Sequence, residues 1–316
     1  MTMSEHERAI AANNAQFNED FAEVYEKSDT QRLLAILFVK YLLEYDFENP
    51  TKRKSLSESE TVLGDPHLET NGFSIESALP DPNSYNTNYP HSIFKPGMKL
   101  LDFACGPGIV TELFVPYLKG GAKSELYGID VSSVFLQYFN KRASLHKSAD
   151  LDFNSFQYDI LDESVQDELD EKFGNRFDGI ICTISYHHLH NYESITKKLA
   201  TFLTPGGYLF IIDFYNEDVE SSTVNVTDPA VQHMGGLKIE ALNRTLGEIA
   251  GLVNVSSARE FRTHSWFPEK FIVNHSRSDI IQKLKRGELE SKEVNGEQNY
   301  LIDCSFIYAV GQRGNH

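Results

Sequence analysis

Between residues 99 and 213 the chain alternates five short apolar runs with segments long enough to form helices, and few folds satisfy that alternation. The runs are Lys99–Cys105, Glu125–Asp130, Phe156–Ile160, Phe177–Thr183 and Tyr208–Asp213. Strand, helix and strand in repeated succession call for parallel strands with both sheet faces covered. The expected fold class is therefore α/β, a doubly wound sheet. A helix from about Gly108 to Leu118 follows the first run, and another at roughly Gly236–Ala250 ends at Gly251, a suitable C-cap. Val253–Phe261 and Tyr300–Val310 then read as two more strands, making seven, with an irregular, partly helical stretch Trp266–Glu288 between them.

Ahead of the sheet, Phe17, Phe21, Val24 and Tyr25, then Leu33, Leu34, Leu37, Phe38, Tyr41 and Leu42, recur at helical spacing and predict two amphipathic helices. Six of the eleven prolines fall between Pro50 and Pro96, and Asn49–Ser92, rich in Ser, Asn and acids, reads as a linker or insertion. The expected organisation is N-terminal capping helices over 1–48, a polar insertion over 49–96 and the main domain over 97–316, with 263–298 a substrate-side insertion. Lys and Arg total 29 against 46 Asp and Glu, a net charge of −17. Such a surface repels phosphate backbones and anionic leaflets, so neither nucleic acid nor a membrane surface is expected as a partner. No apolar run approaches the ~20 residues of a membrane helix. Three scattered cysteines, no disulfide framework and a polar start predict a cytoplasmic protein. Its oligomeric state is not legible.

In an open parallel sheet ligands bind beyond the carboxyl ends of the strands, where the strand order reverses. The first strand leads into Asp102-Phe-Ala-Cys-Gly106-Pro-Gly108, whose small residues let a ligand approach the backbone before a helix begins. The second strand ends in Asp130, placed to accept both hydroxyls of a ribose. A dinucleotide site shares these features but wants a third glycine where this chain has Thr111, and Asp102 would repel a pyrophosphate. An acid at both places suits a cationic nucleoside with an amino-acid tail.

Leu101-Asp102-Phe-Ala104-Cys-Gly106-Pro-Gly108 resembles the first motif of class I S-adenosylmethionine-dependent methyltransferases, with Ala104 in place of the first glycine. Tyr127-Gly-Ile-Asp130-Val-Ser resembles the second motif, Tyr158-Asp159-Ile160 the third, and Leu203-Thr-Pro-Gly-Gly207-Tyr-Leu the turn before the fifth strand. The four together span about Lys99–Phe214. Phe17–Glu26 and Tyr186-His-His-Leu-His190 are similar to the small-molecule branch of that family, which includes the ubiquinone and menaquinone methyltransferases. The resemblance implies a Rossmann-like sheet, mostly parallel with an antiparallel last strand. It implies S-adenosyl-L-methionine as cofactor and S-adenosyl-L-homocysteine as product. By position, Ala104, Cys105, Gly106 and Gly108 would form the turn against the methionine part, with Asp102 near its amino end. Asp130 would bind the ribose, Val131 would flank the adenine, Asp159 would accept the adenine amino group with Ile160 on the ring, and Thr183 would sit by the sulfonium. Tyr25, on the closing helix, would approach the ligand.

Methyl transfer from a sulfonium needs an acceptor held in line and, for some acceptors, a base. The segments able to reach the acceptor carry Tyr186, His187, His188, His190, Tyr215, His233, Met234, His264, Trp266, Phe267 and Phe271, a lining suited to a small, partly apolar molecule. His187, His188 and His233 are the candidate bases. No metal is expected, because consecutive loop histidines diverge and no His-x-x-x-His pair occurs. Cys182-Thr-Ile-Ser-Tyr186 lacks the Asn/Asp-Pro-Pro-Tyr/Phe sequence of enzymes that methylate exocyclic amines in nucleobases. The expected function is methyl transfer to a small acceptor. Protein methylation, cofactor binding without turnover and, more distantly, a dehydrogenase are the alternatives. Ten acids in Asp150–Asp178 face only Lys172 and Arg176, and apart from Asp159 they read as a solvated face.

Overall fold

The computed structural model describes residues 3–50, 79–215, 230–233, 236–276, 278–294 and 296–315. Three helices open the chain: α1 (Glu5–Gln16), α2 (Glu19–Glu26) and α3 (Asp29–Leu43). The expectation was two. α1 buries only Ala9, so it lacks an apolar stripe, and its start is fixed instead by a reciprocal capping box between Ser4 and Glu7. α3 buries seven residues, from Leu34 to Leu43. The described part of the expected polar insertion contains a helix, α4 (Pro82–Asn88), with Asp81 as its N-cap. Tyr85 of α4 is buried and donates to the Leu43 carbonyl at 2.7 Å, tying that turn to the end of α3. The remainder of that insertion, 51–78, lies outside the described residues.

β1 (Lys99–Phe103) is followed by α5 (Ile109–Glu112) and α6 (Val115–Leu118). These replace the single expected helix, because Pro116 sits in the first turn of α6. β2 (Ser124–Asp130), α7 (Ser133–Leu145), β3 (Leu151–Gln157), α8 (Gln166–Phe173), β4 (Phe177–Thr183), α9 (Tyr192–Phe202) and β5 (Leu203–Phe214) continue the alternation. α10 (Ile239–Arg244) runs into a wider turn, Thr245–Ile249, before Gly251. Then come β6 (Val253–Pro268), α11 (Glu269–His275), α12 (Ser278–Lys285), β7 (Ser291–Val294) and β8 (Glu297–Gln312).

The sheet order is β3-β2-β1-β4-β5-β8-β6, with β7 paired to β8. β1 to β5 are mutually parallel, and β8 runs antiparallel between β5 and β6. This is the expected α/β sheet with an antiparallel last strand, in eight strands rather than seven. Side chains alternate across it: Phe210 and Ile212 of β5 enter one apolar core, Leu209 and Ile211 the other. The strand order reverses at β1, so its carboxyl end opens into a crevice.

β6 is longer than expected. It pairs with β8 as far as Pro268↔Asn299, whereas β5 pairs with β8 only between Tyr208↔Gln312 and Phe214↔Phe306. The β6–β8 ribbon therefore continues past the end of β5. α3 packs against it, with Tyr41 stacked on Phe261 at 4.3 Å and Thr30 donating to the Trp266 carbonyl at 3.3 Å. Such an aromatic pair contributes about 0.5–1.5 kcal/mol beyond its buried area. Among the described residues no helix is long and apolar enough to cross a membrane.

Candidate functional site

A cavity of about 1450 Å³ lies over the carboxyl ends of the strands, roofed by α1, α2 and the start of α3 and extended by the tip of the ribbon. Single-ligand pockets measure roughly 300–1,000 Å³, so this one has room for two molecules side by side.

The turn after β1 makes the floor. Ala104, Gly106 and Gly108 all adopt left-handed backbone, with φ of 54°, 51° and 84°. Ala104 does so at the position where the motif usually carries glycine, and a non-glycine residue there costs roughly 1–2 kcal/mol. At Gly106 a Cβ would meet only Phe135, at 3.8 Å, so the turn stays open. At Gly108 a Cβ would lie 2.7 Å from the Phe139 ring, so this glycine serves the packing of helix on sheet. Gly106 N donates to Asp130 Oδ2 at 2.8 Å and Ser132 N to Asp130 Oδ1 at 2.8 Å. Burial pushes the Asp130 carboxyl above the ordinary range, and these backbone donors pull it back. A carboxylate offers about four acceptor sites, so two such bonds leave capacity facing the cavity.

Asp102 sits beneath this turn, buried, and accepts from the Thr111 hydroxyl at 2.5 Å. Burial pushes its carboxyl up to about 7, partly offset by that hydroxyl. Thr111 thus takes the place of the third glycine of a dinucleotide turn and satisfies the buried acid. Of the expected cofactor residues, the cavity brings together Tyr25, Ala104, Cys105, Gly106, Asp130, Val131, Asp159, Ile160 and Thr183. Asp102 and Gly108 lie behind its wall.

Past β4, Ile184 adopts φ 51°, unusual for a β-branched residue, and turns the chain into a short helical turn, Tyr186–His188. His187 is 2 % exposed, and its Nδ1 lies 2.7 Å from Oδ1 of Asp213, itself 0 % exposed at the end of β5. The His187 backbone N–H donates to the other oxygen of Asp213 at 3.1 Å. Asp213 therefore fixes both the main chain and the ring, and as acceptor at Nδ1–H it leaves the imidazole lone pair on Nε2. His188 Nδ1 donates to the Ala230 carbonyl at 2.7 Å, and its ring meets Phe17 edge-on at 5.4 Å. Both histidines line the cavity.

His233 does not. Its Nε2 donates to the Leu189 carbonyl at 3.2 Å, its ring packs edge-on against Tyr192, and burial lowers its pKa. Of the other expected lining residues, His190, Trp266, Phe267 and Phe271 reach the cavity. Tyr186, Tyr215 and His264 are placed elsewhere, and Met234 lies outside the described residues.

The roof is aromatic. Phe17, Phe21 and Tyr25 surround Phe135 of α7 at ring separations of 5.5, 6.3 and 6.0 Å. Burial pushes the Tyr25 hydroxyl up to about 12, so it stays protonated. Arg142 of α7 pairs with Glu26 of α2 and with Glu112 of α5. His6 on α1 reaches Asp159 Oδ2 at 2.9 Å, and that hydrogen bond raises its pKa. His190 lies 3.3 Å from Glu5.

Asp213 and His6 were missed in the sequence. Asp213 ends the fifth apolar run, at the sheet edge where ligands bind, and the Ser4-x-x-Glu7 box marked the helix that carries His6. Among the described residues no group of three or more His, Cys, Asp or Glu side chains is arranged to hold a metal ion.

The sequence model of the family described as "Methyltransferase domain" matches residues 84–267, more than half of the chain. An uncharacterized methyltransferase of Schizosaccharomyces pombe is 25% identical over 306 residues, covering 96% of this chain and 98% of that one. The mitochondrial ubiquinone biosynthesis O-methyltransferase of Rattus norvegicus is 30% identical over 204 residues, covering 63% of this chain and 48% of that one. Among solved structures, phosphoethanolamine N-methyltransferase 2 of Haemonchus contortus, in complex with S-adenosylhomocysteine, superposes with a TM-score of 0.50 at 12% identity, covering 99% of this chain and 61% of that one. The family match, joined to the sheet order and the cavity at its reversal point, places this chain in the methyltransferase-domain family as an S-adenosylmethionine-dependent methyltransferase.

Proposed function

We propose that this chain methylates a small, partly apolar acceptor, with His187, oriented by Asp213, as the general base. The observation that carries this reading is the His187–Asp213 pair on the wall of a cavity large enough for cofactor and acceptor together. The rat relative is named for ubiquinone biosynthesis, and this favours a small acceptor.

The residues present fit the cofactor. The left-handed turn exposes backbone at Ala104, Cys105 and Gly106 for the methionine part, and the Asp130 carboxylate keeps acceptor sites for the ribose hydroxyls. Val131 and Ile160 would flank the adenine, Asp159 would accept its amino group, and Thr183 and Tyr25 would lie toward the sulfur; all of them line the cavity. Asp102 acts at one remove, by bonding Thr111 beneath the turn. Bound there, S-adenosylmethionine supplies a methyl group already activated on a sulfonium.

The protein then holds the acceptor in line and excludes water under the Phe17, Phe21 and Tyr25 roof. His187 Nε2 removes the acceptor's proton, and Asp213 stabilises the resulting imidazolium. His188 is the weaker candidate, because its Nδ1 partner is the neutral Ala230 carbonyl, which supplies no negative charge to stabilise an imidazolium. The test is incubation with methyl-labelled S-adenosylmethionine and a fractionated cell extract. Label in the small-molecule fraction is expected, and label confined to protein would overturn the proposal.

A further inference from the structure

The cavity is asymmetric in charge. At its cofactor end the ionisable lining is Asp130, Asp159 and His6, while at the tip of the ribbon it includes Lys270 and Lys292. Both lysines are exposed and stand at the rim of the cavity, in a chain of net charge −17. A third lining lysine, Lys27, is held by Glu23 at 2.5 Å. Lys270 and Lys292 make no ion pair among the described residues, and Lys292 Nζ lies over the Trp266 ring, 4.2 Å from its centroid.

Two acids border the same end. Asp29 stands in the first turn of α3, where the helix dipole complements it. Glu297 is exposed at the start of β8. The same end of the cavity is aromatic: Phe267 and Phe271 stack at 3.9 Å, and Phe271 meets Phe214 at 5.9 Å. The Trp266 indole N–H is buried without a hydrogen-bond acceptor. Pairing places Lys292 opposite Asn299 and Asn299 opposite Pro268, so β7 and β8 bring Lys292 to the end of β6, where Trp266 lies two residues back and Lys270 two residues on.

We propose that the methyl acceptor is an aromatic or similarly flat molecule bearing an anionic group, a carboxylate or a phosphate ester. Lys270 and Lys292 bind that group at the ribbon tip, leaving the reacting atom toward His187. This rests on the reading of the cavity as a joint cofactor and acceptor site. It also accounts for β7, whose four residues pair with β8 and carry Lys292. Ammonium groups on an aromatic floor suit such a ligand, because the ring takes the apolar surface and a charge-assisted hydrogen bond fixes its direction.

Trp266 is the chain's one tryptophan, so intrinsic fluorescence reports on this end of the cavity. The full chain, saturated with S-adenosylhomocysteine, is titrated with phenylacetate, phenyl phosphate and the uncharged phenylacetamide. At least one anion should perturb the emission and bind about tenfold more tightly than the amide, and Lys270→Gln with Lys292→Gln should abolish the preference. The better anion identifies carboxylate or phosphate. Equal binding of amide and anions, no binding of any probe, or a preference that survives the double substitution would overturn the inference. S-adenosylhomocysteine binding, measured first by calorimetry, separates the two failures: its loss in the wild type sinks the cofactor reading, whereas its retention without an anion preference sinks only this one. Its retention in the double variant shows that the variant is folded.

Discussion

The two ends of the cavity are built on different principles. At the β1–β2 end the contacts that shape the site are main-chain ones: three left-handed residues in five, and a carboxylate that accepts from the N–H groups of Gly106 and Ser132. At the ribbon end the site is made of side chains, Trp266, Phe267, Phe271, Lys270 and Lys292, on elements added beyond the end of β5. The first construction suits a ligand that never changes, and the second suits one that differs from enzyme to enzyme. His187 and Asp213 stand between them. If this division is real, substitutions at one end leave the readout of the other untouched.

The largest effect is expected between the ends. Asp213→Asn removes the negative partner of His187 and permits the wrong tautomer, so turnover should fall by roughly 10²–10⁴. Binding of S-adenosylhomocysteine, followed by calorimetry, should hold its wild-type value, and a parallel loss of both would break the comparison. At the cofactor end, Asp130→Asn should weaken S-adenosylhomocysteine binding by roughly ten- to a hundredfold, since a hydrogen bond to a charged group contributes ~1.5–3 kcal/mol. The response of Trp266 fluorescence to the aromatic probes should remain.

Next comes pH. Asp102 titrates near 3.8 unfolded and at about 7 when folded. A raised value means that the folded chain holds the proton more tightly, so the associated stability is present below 3.8 and is lost as pH rises through about 7. Melting temperature should therefore decline between about pH 4 and 7, and Asp102→Asn, which can still accept from Thr111, should flatten that decline by roughly 2–5 °C. An unchanged slope would mean that the acid is ionised through its neighbours rather than held neutral by burial.

The smallest effect concerns the roof. His6 has its pKa raised by Asp159, so their pairing is present below the unfolded value of 6.5 and is lost as pH rises through the folded one. S-adenosylhomocysteine should dissociate about two- to fivefold faster at high pH, and His6→Asn should dissociate at the fast rate at every pH. Stopped-flow displacement reads this directly. Equal rates for the two proteins at low pH would free α1 of any part in retaining the ligand.

The same division explains what was legible in the sequence. Asp102, Gly106, Gly108, Asp130 and Asp159 fall within short segments whose spacing follows from strand and turn geometry, and local sequence carries local geometry. Asp213 acts through His187, 26 positions away, and the apolar run that contains it announces a strand and no partner. β6 was cut short at Phe261 because its buried face continues with Thr263 and Ser265, polar residues that break the apolar alternation. β7, Ser-Lys-Glu-Val, is exposed or nearly so throughout and leaves no hydrophobic trace. His233 is a candidate base by sequence because the segment after the fifth apolar run can reach the acceptor side, yet tertiary packing directs its Nε2 to the Leu189 carbonyl. α1 shows the converse: with Ala9 alone buried it has no stripe to read, while its capping box was in plain view.

A crystal structure of the full chain grown with S-adenosylhomocysteine tests the division of the cavity most directly. The ribose hydroxyls should lie within hydrogen-bond distance of the Asp130 carboxylate, with the sulfur on the His187 side and the ribbon end around Trp266 left open. A ligand seated instead against Trp266 and Lys292, or a ribose remote from Asp130, would contradict the account.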